Sequence, residues 1–210
     1  MLALLSTTYF GPIQWYQKLH RYPQVLIEQH EAFIKQTYRN RCLIATAQGV
    51  QALTVPVVHN SSMGAESTIS HLRISDHGNW RHLHWQAITS AYGDSPFLEY
   101  YEDDLRPFFF DRQWEYLFDF NWDSCHKICE LIDISPHLSK TDSFTKNADS
   151  IDGQPFADFR EAISPKHPVP DPDFQPRPYY QVFAQRHGFL PNLSILDLLL
   201  NMGPESVFYL

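Results

Sequence analysis

Two short apolar runs bracket a helix-length segment at the start of the chain, and that order constrains the fold more than any other feature. Leu2-Ala3-Leu4-Leu5-Ser6-Thr7 is an apolar, β-branched run of the kind that forms a buried strand. Tyr9-Phe10-Gly11-Pro12 breaks it, and Pro12 suits the first turn of a helix carrying Trp15, Tyr16 and Leu19. Pro23 closes that helix, and Val25-Leu26-Ile27-Glu28 reads as a second buried strand. A β-α-β opening predicts a parallel pair with a right-handed crossover.

The next segment, Ile34-Lys35-Gln36-Thr37-Tyr38-Arg39-Asn40-Arg41, places three cations and an asparagine just before an apolar strand, Cys42 to Thr46. The turn Ala47-Gln48-Gly49 and the run Ala52 to Val58 complete an antiparallel hairpin, with Pro56 demoting the second strand to an edge or bulge. Asn60 to Ser70 reads as a small-residue loop, and His71-Leu72-Arg73-Ile74 as another strand. From Trp80 the period becomes helical: Trp80, Leu83, Ala87 and Ala91 form one stripe, with His84, Ile88 and Tyr92 beside it. Ser95-Pro96 caps a further helix, and a final helical pair is expected from about Arg112 through Ile134.

Residues 135–178 hold eight of the fifteen prolines and few large apolar residues, which predicts an irregular excursion over the surface. Beyond it, Asn192 to Met202 followed by Gly203-Pro204 reads as a capped helix with a Gly-Pro stop, apolar nearly all round and therefore buried. The expected fold class is mixed α/β: a small N-terminal mixed sheet packed against a helical middle and a buried C-terminal helix. At 210 residues, the whole chain, 1–210, is expected to be a single domain.

Residues 1–60 set five Lys and Arg against two Glu, a net of +3, while the remainder nets −11 and the chain −8. Such an acidic chain lacks the broad basic face of a nucleic-acid binder, so the local basic cluster points to a small anionic ligand. Met1 to Leu5 lacks a basic flank and a long apolar run, so neither export nor a membrane span is expected and the reading is cytoplasmic. Cys42, Cys125 and Cys129 form no metal-type CxxC pair and read as free core thiols. His82 and His84, two apart on a helix, diverge, and no metal site or cofactor motif is expected.

Asp197 stands in the leucine-rich last helix, where a carboxylate needs a partner, and Arg39 and Arg41 are the natural candidates. The expected site is a cleft with Tyr9, Lys18, Lys35, Arg39, Asn40 and Arg41 on the sheet side and Trp80, His84 and Tyr92 from the helices. Rings cover apolar sugar faces and arginine forks grip phosphates.

At these residues the chain resembles the WbqC-like family of bacterial proteins. The likeness rests on Tyr9-Phe10-Gly11-Pro12 with Trp15, Tyr16 and Lys18, on Phe33-Ile34-Lys35 with Arg39-Asn40-Arg41, and on Leu53-Thr54-Val55-Pro56-Val57. Trp80 with Tyr92 and Ser95-Pro96-Phe97, then Gln181 and Pro191 through Leu199 with Asn201 and Gly203-Pro204, extend it to the C-terminal helix but leave out 135–178. The family is linked to O-antigen and other surface-polysaccharide pathways, and the resemblance implies acyl or aminoacyl transfer to a nucleotide- or lipid-linked amino sugar. In that reading Lys35, Arg39 and Arg41 hold phosphates, Asn40 orients the acceptor, and His84 or Glu28 is the general base. The alternative is a non-catalytic binding or assembly protein in which Arg39, Asn40 and Arg41 lock the hairpin to Asp197. The chain departs from many relatives at Thr7-Thr8, where they carry Gln-Pro, and at Gln29-His30-Glu31, where they carry Asp-Asp.

Overall fold

The structure, a computed structural model, describes residues 1–58, 68–146, 150–151 and 153–210. Most of the loop expected at Asn60 to Ser70 therefore lies outside the described residues. The opening follows the apolar pattern: β1 (Leu2–Ser6), α1 (Ile13–Arg21) and β2 (Val25–Glu28), with β1 and β2 parallel and Ser6 opposite Glu28. Every residue of β1 is buried, as a strand covered on both faces requires.

The basic segment leads into a separate two-stranded hairpin, β3 (Arg41–Thr46) and β4 (Gly49–Thr54), whose tight turn places Gly49 at φ +105°, a left-handed value that glycine adopts without strain. The second strand ends before Pro56. The strand expected at His71 to Ile74 is instead a 3-10 turn, Ile69–His71, followed by isolated bridges from Arg73 to Tyr116 and from Ile74 to Val57. The helical middle comprises α2 (Trp80–Tyr92), α3 (Leu98–Leu105) and α4 (Leu117–Leu131). Where a helical pair was expected near the end of this region, α4 is a single helix.

The proline-rich segment differs most from expectation. It supplies β5 (Leu138–Lys140), β6 (Ser150–Ile151) and β7 (Gln154–Asp158), which complete a five-stranded sheet in the order β5-β2-β1-β7-β6. β5 and β7 run parallel to β2 and β1, and only β6 is antiparallel. These short strands, one containing Pro155, owe their state to the preformed β1–β2 pair rather than to their own propensity. The rest of the segment is strapped to α1. Lys18 Nζ lies 2.6 Å from Asp171, Gln14 donates to the same carboxylate at 2.9 Å, and Gln17 and Arg21 donate to the Asp173 carbonyl.

After the short α5 (Ala184–His187), α6 (Ile195–Met202) enters the core with Ser194 as its N-cap, accepting from the Leu196 amide at 3.3 Å. Gly203 ends it at φ +55° with Phe97 pressed against its α-carbon, so a side chain there would collide. The chain's two ends meet here: Ser194 Oγ donates to the Phe10 carbonyl at 2.7 Å and the Ile195 amide to Gly11 at 2.8 Å. The Tyr9-Phe10-Gly11-Pro12 turn and the start of α6 thus form one structural unit.

Candidate functional site

All four parallel strands finish on polar residues: Ser6, Glu28, Lys140 and Asp158. From β1 the sheet extends through β2 and β5 on one side and through β7 on the other. In open α/β sheets, ligands bind outside the carboxyl ends at such a reversal of strand order. There the structure has a crevice of about 920 Å³, whose charged floor is lined by the buried Glu31 and Arg39 and by the more exposed Asp158 and Arg160. Lys146 and Glu161 line it as well, and three large apolar side chains, Ile34, Phe144 and Val169, border it.

Each floor charge is held by an opposite one. Arg39, buried, donates from Nε to Glu31 Oε1 at 2.8 Å and from Nη2 to Glu31 Oε2 at 2.5 Å, a two-pronged pair. The same Nη2 donates to Ser6 Oγ at 2.8 Å, which ties the pair to the end of β1. Arg160 donates from Nε and Nη2 to Asp158 at 2.6 to 3.1 Å, and from Nη1 to the Thr145 carbonyl at 2.8 Å. Its Nη1 also reaches Glu28 Oε2 at 3.4 Å. Glu28 is wholly buried behind the floor and accepts from Thr141 Oγ1 and from the His30 and Thr145 amides at 2.7 to 2.9 Å. A carboxylate committed to four donors orients Arg160 and, wholly buried, does not face the crevice.

The structure separates most of the residues that the sequence suggested for one cleft. Of these, Arg39 lines the crevice and Glu28 supports its floor, while Lys35 is exposed nearby on the segment that carries Ile34. Arg39 and Arg41 do not converge. Arg41 points outward to Thr54 Oγ1 at 3.1 Å, because Arg39 precedes the strand and turns inward to Glu31. Asn40 is a core residue, donating to the Val55 carbonyl at 2.8 Å. Lys18, on α1, is buried against Asp171 and the Phe159 ring.

Neither arginine reaches Asp197. That carboxylate accepts from Tyr92 Oη at 2.7 Å, Tyr179 Oη at 2.6 Å and Gln181 Nε2 at 3.0 Å, so neutral donors replace the expected cation. Burial raises its pKa above the ordinary aspartate range, and the three hydrogen bonds only partly offset this. The Tyr92 hydroxyl also accepts from the Ala45 amide at 3.3 Å, so the hairpin is tied to Asp197 through a phenol and not through the basic segment.

Tyr9, Trp80 and His84 form an aromatic core cluster with Phe120, in which Tyr9 Oη and His84 Nδ1 are hydrogen-bonded at 2.8 Å. Burial pushes the His84 imidazole down to about 4, against a smaller opposing effect of a Thr54 backbone hydrogen bond. His84 is thus a neutral core residue that does not line the crevice, and the role of general base does not fit it. The three cysteines are free and buried, and burial pushes the Cys42 thiol up to about 12, which leaves it unreactive. Among the described residues no cluster of ligands could hold a metal, and no helix is long and apolar enough to cross a membrane.

The WbqC-like protein family matches residues 7–164, three quarters of the chain. The chain belongs to the WbqC-like family. The matched range takes in β5, β6 and β7, which the resemblance had left out, and stops short of α6. An uncharacterized protein of Mycobacterium tuberculosis is 25% identical to it, over the full length of this chain and 96% of its own. No solved structure matches.

The floor residues that sequence reasoning missed are Glu31, Asp158 and Arg160. Glu31 stands in the segment where the chain departs from many relatives, and that was its available signal. Asp158 and Arg160 lie in a segment without a recognisable strand pattern, so nothing local marked them.

Proposed function

We propose that this WbqC-like protein binds an amino sugar linked to a phosphate-bearing carrier in the crevice at the carboxyl ends of β1, β2 and β7, and transfers an acyl or aminoacyl group to its amine. The observation that carries this reading is the opposed pairing of Arg39–Glu31 and Arg160–Asp158 across the strand-order reversal. In this reading a ligand exchanges contacts with these pairs, its anionic oxygens taking up the arginines and its hydroxyl and amine groups the carboxylates.

In this reading Arg39, Arg160 and Lys146 face the anionic part of the ligand. Glu161 lines the crevice and, among the described residues, has no bonded partner, so it replaces His84 and Glu28 as the general base. The amine nitrogen bonds to the acyl carbon, the bond from that carbon to the donor's leaving atom breaks, and the amine proton passes through Glu161 to the leaving atom.

A thermal-shift panel of UDP-linked amino sugars, UDP and simple sugar phosphates tests binding. At one hundred times Kd a ligand stabilises by about 2.7 kcal/mol, which for a chain of this size corresponds to about 5 °C or more. Absence of any shift across the panel overturns the reading. Mass spectrometry of mixtures with acyl thioesters tests transfer, and Glu161→Gln is expected to bind normally while losing product by about 10²- to 10⁴-fold. Binding without product instead favours a non-catalytic binding protein. The mutual saturation of the floor charges is the observation that supports that second reading.

A further inference from the structure

Ile34, Phe144 and Val169 are 47%, 47% and 54% exposed, and all three line the same crevice. They come from separate segments, after β2, after β5 and after β7. Three other clefts among the described residues take one exposed large apolar residue each: Met1 at the amino ends of the strands, Val50 beside the hairpin and Phe110 beside α2. An apolar rim gathered over a charged floor matches an amphipathic occupant, since pockets pair apolar walls with a few polar groups that orient the ligand.

The rim's chemistry separates two amphipathic classes. The single ring among the lining residues, Phe144, has the Arg160 guanidinium 5.5 Å from its centroid, so one of its faces is taken and a stacked nucleobase has only the other. The other two members are branched aliphatics, which offer surface to a saturated chain without demanding a stacking geometry. We propose that the rim of Ile34, Phe144 and Val169 seats a short aliphatic acyl chain, which makes the donor an aliphatic acyl thioester or ester. This rests on the transfer reading above and specifies its donor.

Uncharged N-acetylcysteamine thioesters of acetate, butyrate and hexanoate separate chain length from charge. Their affinities are measured by calorimetry on wild type, Ile34→Ser and Val169→Ser, with melting temperatures confirming that these exposed substitutions leave the fold intact. Wild type is expected to gain about two- to fourfold in affinity per added methylene, the value for burying a CH₂ group partly or fully. Each variant is expected to flatten that series while keeping the thermal shift produced by UDP-linked amino sugars.

A flat series in wild type alongside an intact sugar-nucleotide shift overturns this inference alone. A flat series with no sugar-nucleotide shift overturns the transfer reading too. If the variants lose the UDP shift and keep the thioester series, the rim holds the nucleotide, and the acyl assignment fails.

Discussion

Glu31 and Asp197 are both buried carboxylates, yet their surroundings differ in kind. Glu31, 6% exposed, sits at the mouth of the parallel sheet and is neutralised by the guanidinium of Arg39. Asp197, fully buried on α6, accepts, among the described residues, from two phenols and an amide. The cation-matched acid is beside the crevice, where charge can serve a ligand. The acid matched by neutral donors is sealed inside, where it links the hairpin, α2 and the C-terminal region. The difference shows that burial of an acid does not by itself mark a binding site; the partner and the opening do.

The strongest way to break this comparison is to remove one charge of the first pair. Arg39→Met leaves Glu31 buried without a counter-charge, and a loss of about 3–5 kcal/mol is expected in urea unfolding. Arg39→Met combined with Glu31→Leu should recover most of that loss, because an apolar pair needs no compensation. A single variant as stable as wild type would show that water replaces the guanidinium.

The second setting should yield less per partner. Tyr179→Phe removes one of three donors to Asp197, with an expected cost of about 1.5–3 kcal/mol for a hydrogen bond to a charged group. Tyr92→Phe falls in the same range and also frees the Ala45 amide. Equal losses in Arg39→Met and Tyr179→Phe would erase the distinction.

pH sharpens the contrast through two aspartates shifted in opposite directions. Asp197 is raised by burial, so its folded form binds a proton more tightly than the unfolded chain. The associated stability is present below the ordinary value of 3.8 and is lost as pH rises through the higher folded pKa. For Asp171, burial raises the pKa, but the hydrogen bonds from Lys18 and Gln14 together with the Lys18 charge more than offset it, so the net shift is downward. Its contribution is present above 3.8 and is lost as pH falls through the lower folded value. Chemical denaturation across pH 3 to 7, an interval set by these directions, should therefore show the penalty of Asp197→Asn shrinking as pH rises. The penalty of Asp171→Asn should shrink as pH falls.

How far the sequence reveals each region follows from the range of the interactions involved. The β1-α1-β2 opening is legible because apolar runs and proline punctuation are local signals. The α6 helix is equally legible from Ser194 and Gly203. Leu138–Lys140 and Gln154–Asp158 are not, because their strand state comes from pairing with β2 and β1, more than a hundred residues earlier in the chain. The same holds for the sites. A rule that a buried acid attracts a cation succeeds for Glu31, eight residues from Arg39, and fails for Asp197. Asp197 is satisfied instead by the neutral hydroxyls of Tyr179 and of Tyr92, the second 105 residues earlier in the chain.

Arg41 provides the smallest effect and the clearest test of the basic segment as a unit. Sequence proximity makes Arg39 and Arg41 look like one grip, whereas in the structure the first is buried in the crevice floor and the second makes one exposed hydrogen bond to Thr54 across the hairpin. Arg41→Ala should cost no more than about 0.5 kcal/mol, as expected for a surface substitution, and should leave the sugar-nucleotide thermal shift unchanged. A large loss of ligand response in Arg41→Ala, with stability intact, would place the phosphate grip on the outer face of the hairpin. The crevice would then be the wrong site, and the pairing of Arg39 with Glu31 would be purely a brace for the sheet.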